Sequence, residues 1–417
     1  MLSCAGVCQT AQPFLAVLLQ NIFTRRPFVI VVPDIKTQES CQQDLETWLA
    51  EMRSAQCGVR NKSDAPSSIR HTPSSLFYPP WEILPHEGKL PHADTISDRL
   101  QTLVTLSEKS ACGHRPSAMV VTSITALLQK TFPPHEIQKR TRRLRRGDKI
   151  NPLDLIEWLE EQGYEPEAQV TQKGEIALRG GILDVWPLTC PWPVRLEFFG
   201  DELESLREFD PLTQISREET VQAIIPPGGE LGLLKKGRTA SGERDEIGTP
   251  PDAANPVTRH TPHATLLDYL PRETIFLLCE PEQLAVRAEE YAGQIPDDDP
   301  FFIPWEKFLA DLDQRGMTRL DASESEAVGV QASACPDTLK RELQHTPDWR
   351  SLVHGFPHLT RSGRWPNAPP NCRWPRRNAV NSSINSIAGC AGATRPMSSA
   401  ITTANASGLR KSGRSLM

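Results

Sequence analysis

Three side chains in this 417-residue chain have the chemistry of protein-interface anchors. The run Val194 to Phe199 alternates as a strand does. Val194, Leu196 and Phe198 then share one face, and Arg195, Glu197 and Phe199 the other. In the strand read from Glu175 to Arg179, Ile176 and Leu178 face one way, and Glu175, Ala177 and Arg179 the other. If the two polar faces coincide, Arg179, Arg195 and Phe199 form one exposed patch, and arginines and aromatics are the usual anchors of interfaces. The competing reading pairs Arg195 with Glu197 or a cross-strand acid and leaves Phe199 partly buried. By residue type alone that is the commoner outcome, since surface Arg–Glu pairs are frequent and contribute little.

Other chemistries find less support. A phosphate-cradling loop needs Gly-x-x-x-x-Gly-Lys-Ser/Thr, whose backbone amides wrap the phosphates while the lysine neutralises them. No Gly-Lys-Ser/Thr occurs; Gly88-Lys89 is followed by Leu90, and Asp245-Glu246 follows a polar stretch rather than an apolar strand. No cofactor and no catalytic residue are expected. The 10 cysteines form no CxxC pair, and His86, His92, His114, His260 and His263 lack metal-ligand spacing, so no metal is expected either. The basic run Lys139 to Arg146 could touch DNA phosphates or be a solvated linker. The linker reading is preferred because the surroundings are acidic. All ten basic residues after Asp348 stand in a tail with no Asp or Glu, which leaves 36 basic against 52 acidic residues before it. Such a body is a poor general DNA binder, so DNA contact is expected to be weak or indirect and a protein the first-choice partner. The apolar stretch Pro13 to Leu19 is too short to span a bilayer and lacks a basic segment before it. The expectation is a cytoplasmic protein with reduced thiols and no membrane contact.

The elements that must carry the patch follow from periodicity. Helices are read over Gln12 to Phe23, Thr37 to Met52, Ser97 to Leu106, from Ile124, over Pro152 to Gln162 and over Glu282 to Tyr291. Apolar strands are read at Pro27 to Val32, Leu76 to Tyr78, Ala118 to Thr122 and Thr274 to Cys279. Buried strands between helices predict a parallel α/β sheet. The predicted organisation is an α/β domain whose first half spans 1–138, a small α+β domain inserted at 139–226, and the returning half at 227–354, with 227–262 as a Gly/Pro-rich loop. Residues 355–417 lose both periods and read as a disordered tail.

The segment Gly174 to Pro187 carries Arg179-Gly180-Gly181-Ile182-Leu183-Asp184. It continues into Arg195-Leu196-Glu197-Phe198-Phe199-Gly200-Asp201-Glu202-Leu203-Glu204-Ser205 and the turn Phe209-Asp210-Pro211. Together these resemble the small domain shared by UvrB and the bacterial transcription-repair coupling factors. Phe77-Tyr78-Pro79-Pro80-Trp81-Glu82, Ile96-Ser97-Asp98-Arg99-Leu100, Val121 to Gln129 and Ala264 to Pro271 resemble the coupling factors in particular, and the likeness covers roughly residues 10–350. It implies a degenerate P-loop-type parallel-sheet domain that does not bind ATP, with an inserted UvrB domain 2-like module that binds UvrA. In that family the positions of Arg179, Arg195 and Phe199 contact UvrA, which turns the balance toward the interface reading. The chain then reads as a truncated family member that helps recruit nucleotide excision repair. The family's motor lobes and RNA polymerase-binding domain are missing from it. Two alternatives are the ATP-dependent DNA translocase activity of the complete family protein and a UvrB-like damage-binding protein. The missing P-loop speaks against the first; the acidic body and the want of a Tyr-rich hairpin speak against the second.

The tail suggests a shifted reading frame from about residue 360. Read from the third base of the Trp374 codon, permitted codons through Ser383 can spell Ala-Glu-Ala-Gln-Arg-Arg-Glu-Phe-Phe, which resembles the family's next domain.

Overall fold

The computed structural model describes residues 2–57, 75–108, 118–242 and 263–324. The expectations for the tail, its frame and its disorder, and for the loop beyond residue 242, fall outside them.

The chain begins with β1 (Leu2–Ala5), α1 (Gln12–Ile22), β2 (Phe28–Val32), α2 (Ile35–Cys57), β3 (Leu76–Tyr78), α3 (Ala93–Ser107), β4 (Met119–Ser123), α4 (Ile124–Leu128) and α5 (Pro134–Lys139). A second unit follows: β5 (Arg142–Arg145), α6 (Pro152–Glu161), β6 (Glu165–Pro166), β7 (Glu175–Arg179), β8 (Ile182–Val185), β9 (Val194–Phe199), β10 (Glu202–Phe209), β11 (Ser216–Glu219) and β12 (Gln222–Ile225). The chain then returns through α7 (Leu231–Gly242), β13 (Ile275–Cys279), α8 (Pro281–Ala292), α9 (Trp305–Gln314) and β14 (Thr318–Ser323).

The first and last groups build one six-stranded sheet in the order β1-β14-β13-β2-β4-β3, parallel throughout. Its central strands are buried along their whole length, which is why they are apolar without alternation up to Thr122 and Ser123 at the end of β4. In β2, Val29 and Val31 join the core under α3, α4, α8 and α9, while Phe28, Ile30 and Val32 join the core under α1 and α2. This is the mixed α/β architecture with a parallel sheet that the apolar runs predict.

The second unit has its own sheet, β11-β10-β9-β8-β7-β6, and a two-stranded ribbon β12-β5. Asn151 caps α6, its side chain accepting from the Leu153 amide at 2.9 Å, and Pro152 opens the helix. Leu155 and Leu159, one turn apart, bury against Ile176, Leu183, Val194, Leu196 and Leu206.

Three expectations change. The strands read at 175–179 and 194–199 are not neighbours, because β8 lies between them. The loop expected over 227–262 contains α7, since Leu231, Leu233 and Leu234 bury in the large core. The basic run is a strand rather than a linker, although Lys139, Arg143, Arg145 and Arg146 are exposed as a solvated segment would be. Arg142–Arg145 is a strand paired to β12, the Arg142 guanidinium lies 4.2 Å from the Trp158 ring centre, and Arg143 bonds Glu108. Among the described residues no helix is long and apolar enough to cross a membrane.

Candidate protein-binding site

The outer face of the β7–β10 meander carries the predicted residues. Register decides this, because residues directly opposite on neighbouring strands project to the same side. Ala177, Asp184, Arg195 and Arg207 form one row across four strands, and Arg179, Ile182, Glu197 and Ser205 form the next. Phe199 stands two residues further along β9 on that same face, opposite Glu202. The two polar faces therefore coincide, and the structure brings Arg179, Arg195 and Phe199 to one side of one sheet.

Both tight turns at this end are set by glycine. Gly180, at φ 64°, joins β7 to β8, and Gly200, at φ 62°, joins β9 to β10; both lie in the left-handed region that glycine adopts at no steric cost. Gly181 accepts from the Phe198 amide at 2.8 Å, and a Cβ there would come within 3.0 Å of the Phe198 carbonyl oxygen. The hairpin tips thus lie side by side. Phe198 turns inward onto the Leu196 core while Phe199 is 81 % exposed. Leu178 and Ile182 are also exposed at this end. Arg179 is exposed and makes no hydrogen bond or ion pair among the described residues.

Arg195 behaves differently. Its Nε and Nη2 donate to the two carboxylate oxygens of Asp184 at 2.7 and 2.9 Å, and Nη1 donates to the Gln214 carbonyl at 3.3 Å. Its guanidinium also lies 4.5 Å from the Phe209 ring centre. The Asp184 bond, and then its charge, raise the Arg195 pKa further despite burial. The competing sequence reading, a cross-strand acid, describes Arg195; Phe199 is exposed rather than partly buried. Asp184, Gln214, Leu212 and Ile215 were not singled out by sequence, although Asp184 lay within the Gly-Gly-Ile-Leu-Asp segment.

The second unit is fixed to the first by α3. Arg99 of α3 donates through Nε and Nη2 to Glu230 at 2.7 and 3.0 Å, through Nη1 to the Pro79 carbonyl at 2.9 Å and Gln129 at 3.3 Å, and through Nη2 to the Tyr78 hydroxyl at 2.7 Å. Trp81 Nε1 and Thr131 Oγ1 donate to the same Glu230 carboxylate at 3.0 and 2.6 Å. The guanidinium sits between the Tyr78 and Trp81 rings, 4.3 and 4.6 Å from their centres. Nearby, Lys173 lies 3.4 Å from Asp94, and Ser97 donates to the Leu188 carbonyl.

At the carboxyl end of β2, where a parallel α/β sheet commonly presents a helix N-terminus to phosphate, α2 is capped by its own chain. The Asp34 carboxylate accepts from the Thr37 amide at 2.9 Å and its hydroxyl at 3.1 Å. No group of His, Cys, Asp and Glu able to hold a metal occurs among the described residues.

The UvrB interaction domain family matches residues 143–230, the span from β5 to Glu230. Curated relatives include the transcription-repair-coupling factor of Haemophilus influenzae, 31 % identical over 50 % of this chain and 19 % of its own length. That of Mycobacterium bovis is 32 % identical over 51 % of this chain and 19 % of its own length, and that of Escherichia coli 29 % identical over 52 % and 17 %. The matched stretch therefore spans about a fifth of the length of these relatives.

Proposed function

We propose that this chain, whose matched half is a transcription-repair-coupling-factor module bearing a UvrB interaction domain, docks on UvrA through the outer face of β7–β10. The observation that carries this reading is Phe199. An aromatic ring that is 81 % exposed, on a glycine-set hairpin inside the family-matched span, is not covered by any of the described residues. Exposed aromatic rings on rigid turns lose little freedom on binding and anchor interfaces. Arg179, without a hydrogen bond or ion pair among the described residues, adds a charged donor fork at the neighbouring tip.

The role proposed is that of a docking module in excision repair. The link to transcription that the relatives carry in their name is proposed for this chain only through that contact. The large sheet serves as the scaffold, a P-loop-like domain whose helix N-terminus is occupied by Asp34 rather than open to nucleotide. DNA binding by the basic strand is disfavoured, because Arg142 and Arg143 are engaged within the chain.

Titration calorimetry of the full chain against purified UvrA tests the reading. Phe199→Ala and Arg179→Ala should each weaken binding by about 1–3 kcal/mol with unchanged folding. Absence of binding by the parent chain, or parent-like binding by both variants, would overturn it.

A further inference from the structure

We infer that Arg195 is a positioning residue that holds the turn 210–215, and that this turn adds Leu212 and Ile215 to the partner-binding surface. The contact half of this inference rests on the UvrA docking proposed above; the positioning half does not.

Three of the five N–H donors of Arg195 are already used within the chain. Two of its nitrogens are bound to Asp184, the third donates to the Gln214 carbonyl, and its side chain is only 16 % exposed. The third of these bonds holds Gln214. That residue has φ 61°, a left-handed conformation that a non-glycine residue keeps only when its surroundings impose it.

The turn is otherwise tightly built. Asp210 Oδ1 accepts from the Leu212 and Thr213 amides at 2.8 and 3.3 Å, the Gln214 amide donates to the Asp210 carbonyl at 2.7 Å, and the Asp210 amide donates to the Ile215 carbonyl at 3.0 Å. Gln214 Nε2 donates to the Pro211 carbonyl at 2.8 Å. Phe209, just before the turn, is buried with Val170 and Ala177, so the turn is rooted in a small core on the outer side of the sheet. This frame holds two apolar side chains in solvent, Leu212 at 91 % exposure and Ile215 at 68 %. Leaving large aliphatic groups in water forgoes the stabilisation that burial against a partner would give.

Arg195 is four residues from Phe199 along β9, or about 13 Å at strand rise. The face from the hairpin tip to the turn therefore has the reach of one side of a protein interface rather than of a small-ligand site. The partner chemistry that fits is a protein surface with an apolar recess for Leu212 and Ile215 at the end away from Phe199.

Two measurements on the full chain decide the matter. Amide hydrogen exchange is read at Leu212 and Gln214, in the parent, R195A and R195K. Arg195→Lys keeps a positive charge opposite Asp184 but lacks the planar fork needed to hold the carboxylate and the Gln214 carbonyl together, so it reads the turn even if R195A unfolds the unit. At least tenfold faster exchange in the turn of R195K, with β9 protection retained, is expected; parent-like exchange there overturns the positioning role. UvrA binding is then compared for parent, L212A and I215A, which are surface changes that leave the core intact. About tenfold weaker binding by L212A is expected. Parent-like binding by both variants overturns the contact role while leaving the Phe199 reading intact. A parent chain that does not bind UvrA overturns the proposed docking and the contact role together, and the exchange result still decides the turn.

Discussion

Arg99 and Glu230 stand 131 residues apart in sequence and 2.7 Å apart in space, with neither side chain exposed. Every N–H of the guanidinium has an acceptor, and the carboxylate accepts from arginine, tryptophan and threonine. Burial works to lower the Arg99 pKa, yet the Glu230 charge and hydrogen bonds outweigh it and the arginine stays charged. Glu230 closes the small unit and enters the large one, so this pair fixes where the inserted unit rejoins its scaffold.

Breaking the pair from one side should therefore be costly. Glu230→Ala or Arg99→Ala is expected to lose about 3–5 kcal/mol in urea unfolding, because each leaves a buried charge without its partner. The double variant R99M/E230L should cost clearly less than the sum of the two single changes. Losses below about 1 kcal/mol in the single variants would show that water reaches the site.

Phe199 should separate binding from stability. With its ring in solvent, Phe199→Ala is expected to leave the unfolding midpoint within about 0.5 kcal/mol of the parent. Gly228→Ala makes the contrast. A Cβ there would lie 2.8 Å from the Gly163 and Tyr164 backbone, so that variant should be destabilised by thermal melting without touching the outer face.

Mg-ATP at millimolar concentration should not raise the melting temperature of the chain. The α2 N-terminus is capped by Asp34, whose carboxylate repels phosphate where a P-loop would attract it. Asp34→Ala should cost about 1 kcal/mol of stability through the lost cap and still confer no ATP response. A melting shift of several degrees with ATP in the parent would contradict this.

Thiol reactivity should follow burial. Burial first, and the Asp321 and Asp44 charges second, push Cys4 and Cys41 up to about 12, and burial with Glu208 pushes Cys190 to about 11. A raised thiol pKa keeps the thiolate scarce until strongly alkaline conditions. Alkylation of Cys190, read by peptide mass spectrometry, should therefore keep climbing from about pH 8 to about pH 10 rather than levelling near the ordinary thiol value. Cys4 and Cys41 should label only on unfolding. A plateau for Cys190 near pH 9 would refute the assignment.

Much of the scaffold was legible in the sequence because burial writes itself into composition. Phe28 to Val32, Met119 to Val121 and Ile275 to Cys279 sit between two helical layers, so they are apolar without alternation, and that pattern is visible without structure. β7 and β9 were legible for the complementary reason, one wet face and one dry. Among the strands that escaped, β10 has a register shift between Leu203 and Ser205, so its core residues Leu203 and Leu206 stand three apart and break the period of two. β8 and β14 are short and carry the buried acids Asp184 and Asp321, which are tolerated there because each is paired to an arginine. α7 escaped because its leucines are diluted by glycine and lysine and find their core only after the chain has passed through the small unit.

By itself, the sequence determined which residues share a face within β7 and within β9, that apolar strands and helices build an α/β sheet, and that no Gly-Lys-Ser/Thr is present for a phosphate loop. These are local matters, set by strand and helix periods and by backbone chemistry. Tertiary structure alone decided that β8 stands between the two strands of the patch, that Arg195 is committed to Asp184 and Gln214 while Arg179 and Phe199 are displayed, and that Glu230 is the partner of Arg99. Those outcomes depend on register and on contacts across long stretches of chain. An arginine reads the same in sequence whether its partner is a neighbouring strand, a distant buried carboxylate or another protein.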